Sequence, residues 1–254
     1  RYSLLKNSLL STLIVFFCSP LLIFIFVNLV FRKVLVNNYY DISFDVWIYP
    51  SMIFIISSFS ILPSIFRDLY DLRIHQKLLT YISLSPYSKS VTIFSFLVIS
   101  LLEGFVMGIF SLGLFSIILV FPFDIIKTIV LIGYLLIFIF IVGNFLITIA
   151  ISSKRSTTYI LYSVLLLFYI VLGSGLIIEQ SFFPDLINSF LFFSPINMIV
   201  HSMQSYLYSS FMNWKLTILS ILIGIGWTFI NSSILKRKLR LISSRSKGEL
   251  EQLT

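Results

Sequence analysis

Few residues of this chain have side chains equipped for chemistry, and Glu103 comes first. It is the only charged residue deep in an apolar run, about 12 residues into Val91–Phe121. A charged side chain at the centre of a bilayer costs at least about 2.5–3.5 kcal/mol, so this carboxylate must face protein or water. No Lys or Arg at the same depth offers a counter-charge. Gly104 and Gly108 follow at GxxxG spacing, which lets another helix approach closely. Glu103 therefore reads either as polar glue between helices or as a lining residue of a substrate path or dimer interface. Asn144 is a second, milder intramembrane candidate. Asn144 and Asn231 read as interhelical hydrogen-bonders ahead of substrate contacts.

Other chemistries find less support. A serine protease working inside a membrane needs Gly-x-Ser-Gly in one span and a His in another, so that imidazole can activate the hydroxyl. The nearest run, Leu172-Gly173-Ser174-Gly175, lacks the first Gly, and its only same-side histidine is His201. Those glycines read more simply as tight packing or a break at the end of a span. Cys18 is the only cysteine, which excludes an internal disulfide and a Cys-based metal site. No Gly-x4-Gly-Lys-Ser/Thr loop is present to cradle ATP phosphates, and no metal-ligand spacing occurs.

The composition says what must position these residues. Of 254 residues, 58% are hydrophobic and 11% charged. Soluble domains carry roughly a quarter charged residues, and their surfaces need polar cover that this chain lacks. The expected class is an all-α integral membrane protein forming one domain over 1–254. A crossing helix needs about 20 mainly apolar residues. Six runs qualify: Leu9–Phe31, Phe44–Phe66, Val91–Phe121, Ile125–Ile151, Tyr159–Ile178 and Trp214–Leu235. They are continuously apolar, without the alternation of barrel strands, so helices are expected. The first run, about 23 residues with Pro20 inside, is longer than a signal h-region of roughly 7–15 and reads as a span.

Charge sets the expected orientation. Net charge is +8, but the basic residues lie between apolar runs and form no nucleic-acid-binding face. The N-terminus, the loops after spans two and four, and the tail together hold 14 Lys and Arg; the other side holds four. The positive-inside rule then puts both termini in the cytoplasm. Trp47, Trp214, Tyr39, Tyr40 and Tyr49 fall where an aromatic belt would anchor the spans. Ser181–Ser210 is apolar, but Pro184 and Pro195 interrupt it. Two short external helices, about Asp185–Phe193 and Asn197–Tyr208, are expected there.

Between spans two and three, Leu72–Leu84 can form a cytoplasmic amphipathic helix with Ile74, Leu78 and Ile82 on one stripe and Arg73, Lys77 and Thr80 on another face. Pro86 ends it. The helix rests on the inner leaflet or docks a cytoplasmic partner.

The helix end Leu84-Ser85-Pro86-Tyr87-Ser88 resembles a Leu-Leu-x-Ser-Pro-x-Ser pattern, and Phe193-Ser194-Pro195-Ile196-Asn197 resembles an Asn-Pro-containing external turn. With six spans in this orientation, the chain resembles the permease subunits of ABC-2 type exporters. The resemblance runs over nearly the whole chain, although Lys77-Leu78-Leu79-Thr80 replaces a Gly-Thr-x-Glu run and Ser194 stands where Asn is usual. It implies that Leu72–Leu84 is the coupling helix, with Arg73, Ile74, Gln76, Lys77, Leu78, Ile82 and Pro86 as its contact residues. It implies two copies of a separate ABC ATPase subunit carrying the ATP and magnesium, so that this chain is not itself an enzyme. It further implies a second permease copy or paralogue, membrane lipid around both, no nucleic acid, and a plasma-membrane (bacterial inner membrane) location. The cargo would be a lipid, drug or glycan. The rival reading is an ion-coupled secondary transporter, with an intramembrane protease a remote third; the absence of an evident repeat weighs against the rival.

Overall fold

The computed structural model describes residues 9–31, 42–71, 88–118 and 123–251, and among them all regular structure is helical. The helices are α1 (Leu9–Phe31), α2 (Phe44–Ile65), α3 (Lys89–Ile118), α4 (Ile125–Ser152), α5 (Ser156–Phe168), α6 (Asp185–Phe192), α7 (Pro195–Ser209) and α8 (Trp214–Glu251). Single π-helical turns extend α2 over Phe66–Asp71 and α5 over Tyr169–Gly173. The predicted helix Leu72–Leu84 and its residues Arg73, Ile74, Gln76, Lys77, Leu78 and Ile82, with Pro86, lie outside the described residues.

Long uninterrupted apolar runs become long helices because the backbone can satisfy itself in no other open form within lipid. Among the described residues, five stretches are long and apolar enough to cross a membrane: Phe44–Tyr70, Lys89–Ile118, Ile125–Ser152, Ser156–Gly173 and Trp214–Leu239. A sixth crossing is reached if α6 and α7, which meet at 94°, count as one broken span. The bend lies at Pro195, whose ring fixes the first turn of α7 and has no N–H to continue α6. α1 is a further 23-residue helix, within which Phe17–Val27 forms a shorter apolar stretch.

At the centre stands α2, whose residues Trp47–Ser58 are all buried. α3 and α4 flank it, α8 packs on both of those, and α7 fills the space between α4 and α8. α5 is peripheral, with Ile160, Leu161, Leu165 and Phe168 exposed, as expected of a lipid-facing helix. The two ends of the bundle differ in charge. The C-termini of α2 and α4, the N-termini of α3 and α5, and the basic part of α8 share one end, which collects Arg67, Lys89, Lys154, Arg155, Lys236, Arg237 and Lys238. There Lys238 donates to the terminal carbonyls of Ile151 and Ser152, a cation on the negative end of α4.

Two expectations need correction. Span five does not continue as a helix to Ile178: helical bonding stops at Gly173, and Gly175 takes φ +87°. That left-handed conformation suits glycine because it has no Cβ to clash. Ser174 also turns its hydroxyl back to the carbonyl of Ile170. Nor do Trp47 and Tyr49 anchor at the lipid boundary. They are 1% and 0% exposed, and their polar tips bond backbone carbonyls, Trp47 Nε1 to Ile177 at 3.3 Å and Tyr49 Oη to Leu112 at 3.1 Å. Aromatic residues with a polar tip can be buried wherever that tip finds an acceptor.

Candidate functional site

Two close helix contacts set the position of Glu103. A Cβ on Gly104 would stand 2.7 Å from Ile61 Cγ1, and one on Gly108 would stand 2.6 Å from both Leu135 Cδ2 and Ser57 Oγ. The two glycines thus bring α3 against α2 on one side and α4 on the other. This packing fixes an antiparallel register with Ile61 opposite Gly104 and Ser57 opposite Gly108. Arg67, six residues beyond Ile61, is displaced along the axis from Glu103 by a distance on the order of 8 Å. Its long side chain spans that gap.

Arg67 Nη2 donates to Glu103 Oε1 at 3.0 Å, while Arg67 Nε donates to Asp68 Oδ1 at 3.1 Å. Glu103 therefore has a counter-charge, contrary to the sequence expectation. An arginine from the end of the neighbouring helix reaches a depth that its own backbone does not occupy. One guanidinium bridges two carboxylates, which its planar fork of donors suits well. The pair lies on the surface of the bundle: the Arg67 side chain is 54% exposed and that of Glu103 38%. An ion pair so open, on helices otherwise faced by apolar side chains, requires water or a further protein surface beside it.

Asn144 lies elsewhere and is 1% exposed, between α4 and α8. Its side-chain amide donates to the carbonyls of Phe140 and Gly224, at 3.0 and 3.4 Å. Asn231 Nδ2 donates to Asn144 O at 3.0 Å, and Thr148 Oγ1 donates to Asn231 Oδ1 at 2.6 Å. Trp227 Nε1 completes the cluster on Thr148 Oγ1 at 2.8 Å. These bonds are directed between two helices, so the geometry makes Asn144 an interhelical clamp, separate from the Arg67–Glu103 surface.

A polar arrangement that sequence reasoning missed lies at the opposite end of the bundle. The irregular stretch 174–177 is buried, so its backbone carbonyls need donors. Ser51 Oγ serves Leu176 at 2.6 Å, Trp47 Nε1 serves Ile177, Gln204 Nε2 serves Gly175 at 2.7 Å, and Asn197 Nδ2 serves Gly173 at 2.9 Å. Tyr169 donates in turn to Asn197 Oδ1. Side chains from α2 and α7 thus supply what a helix would have supplied internally, the condition under which broken backbone is tolerated at membrane depth. The run Gly173-Ser174-Gly175 and the polar residues Asn197 and Gln204 within an apolar segment were the available signals.

Among the described residues, Ser174 and His201 do not form a nucleophile–base pair. Ser174 is engaged with Ile170, His201 stacks edge-on to Phe192, and no hydrogen bond joins the two among the described residues. No group of three or more His, Cys, Asp and Glu stands close enough to hold a metal ion among the described residues. No protein-family model, curated protein or solved structure matches the chain.

Proposed function

We propose that this chain is the membrane-spanning permease subunit of an ATP-driven ABC-2 type exporter, with both termini in the cytoplasm. The observation that carries the reading is the broken helix pair α6–α7. It bends by 94°, lies at the end away from the basic residues, and immediately precedes the last spanning helix. That position is the one the resemblance calls for. The asymmetry of charge between the two ends supports the orientation, with the basic end inside. Counting α1 with the five helices above gives six spans.

In this reading, ATP and magnesium belong to a separate ATPase subunit seated against Leu72–Leu84. Movement of that segment passes directly into α2 through the π-turn Phe66–Asp71 and into α3. The exposed Arg67–Glu103 pair then faces a path between this chain and a second permease, where water and protein replace hydrocarbon. The cargo is of lipid, drug or lipid-linked glycan type.

The rival is an ion-coupled secondary transporter, for which Arg67–Glu103 would be the coupling group. Sealed inside-out vesicles carrying the chain and offered fluorescent probes of the three cargo classes separate the two. Uptake that needs ATP and survives collapse of the ion gradients supports the exporter. Uptake that persists without ATP under an imposed ion gradient contradicts it.

A further inference from the structure

A groove of about 320 Å³ opens on the outside of the bundle between α3, α4 and α8. Val91 and Phe94 come from α3, Phe140 from α4, and Ile225 and Phe229 from α8. Four of these, Val91, Phe94, Ile225 and Phe229, are exposed. On α8, Ile225, Phe229, Ser232 and Lys236 recur every three or four residues and so share one face of the helix. Ser232 Oγ meets Ser90 Oγ at 3.0 Å, which closes the groove toward the basic end of the bundle. One turn further along the same face stands Lys236, which is exposed, and beside Ser90 is Lys89 at the start of α3. The groove is thus apolar along its length and basic at its lip.

We propose that this groove seats an acyl chain of one anionic glycerophospholipid, with its phosphate at the lip beside Lys236. A spanning helix of a second copy, about 10–12 Å across, could enter such a volume only with single side chains. An extended acyl chain needs only a narrow apolar channel. The charge selects the headgroup: basic lips between spanning helices attract anionic lipid, each Lys or Arg near the surface contributing about 1 kcal/mol. The choice of inner leaflet rests on the orientation proposed above; the binding itself does not.

Native mass spectrometry of the full-length chain in detergent, offered dioleoyl phosphatidylglycerol or dioleoyl phosphatidylcholine, tests this without reference to transport or orientation. Wild-type protein retains one phosphatidylglycerol in preference to phosphatidylcholine. Lys236→Gln lowers that preference about fivefold, whereas Arg155→Gln, at the same end but outside the groove, leaves it unchanged. Ile225→Trp, which fills the groove, lowers retention of both lipids. All variants are first matched to wild type in helical content and elution volume. Equal retention of the two lipids by wild type would overturn the proposal. So would an equal loss of preference in Lys236→Gln and Arg155→Gln, or full retention by Ile225→Trp. A failed exporter reading would leave the expected lipid results intact.

Discussion

Arg67 and Glu103 stand 36 positions apart in the chain and meet at 3.0 Å, the arginine reaching from the turn after α2 to a carboxylate within α3. The bond joins the π-turn that ends α2 to the interior of α3. Its exposure decides its energetics. Exposed ion pairs typically contribute 0–1 kcal/mol, whereas an unpaired charge in hydrocarbon costs about 2.5–3.5 kcal/mol or more.

If the pair faces a wet path, its thermodynamic weight is small and its effect on transport is large. A double-mutant cycle of Arg67→Gln and Glu103→Gln in lipid nanodiscs is expected to give a coupling energy below about 1 kcal/mol. Each single variant lowers transport several-fold, and the exchange Arg67→Glu with Glu103→Arg restores part of it. A coupling of 2 kcal/mol or more would put the pair in a dry environment.

The α2–α3–α4 contact should be intolerant at Gly108 and tolerant one helix face away. A branched side chain at Gly108 would collide with Leu135 and Ser57, whereas nothing lies within 4 Å of a Cβ at Gly113. Gly108→Val is expected to destabilise by about 1–3 kcal/mol. Gly113→Val is expected to shift the thermal midpoint little. Unfolding followed by circular dichroism checks both.

The buried stretch 174–177 should depend on its remote donors. Removing the amide of Gln204 strands the buried carbonyl of Gly175, at a cost of about 1–3 kcal/mol, and removing that of Asn197 leaves the part-buried carbonyl of Gly173, just before the stretch, without its side-chain donor. Asn197→Ala and Gln204→Ala are therefore expected to lower the thermal midpoint clearly, and Gly175→Ala to do so through its φ of +87°. Ser189→Ala, on α6, which has no buried residues, serves as the neutral comparison.

Much of this architecture is readable along the chain. The long helices follow from apolar runs such as Ile125–Ile151, and the break before α8 from Pro184 and Pro195, because both signals are local. What escaped is long-range. The helix register that lets Arg67 reach Glu103 is set by Gly104 on Ile61 and Gly108 on Ser57, contacts that a single sequence does not pair. The end of span five is apolar through Ile178, yet its backbone is bonded by Trp47 and Ser51, 130 and 125 positions away. Trp47 illustrates the same limit, since an aromatic at a span terminus suits a lipid anchor and a buried donor equally well until its acceptor is known.

Under the proposed function, a separate ATPase drives this chain through the segment that follows α2. This is tested most directly by purifying the full-length protein from its native membranes and measuring vanadate-sensitive ATP hydrolysis in the same preparation. Hydrolysis is expected to copurify with wild type, to fall to background with Leu78→Asp at unchanged helical content, and to remain associated with Glu103→Gln. Wild-type preparations free of ATPase activity, or Leu78→Asp preparations that retain it in full, would contradict the account.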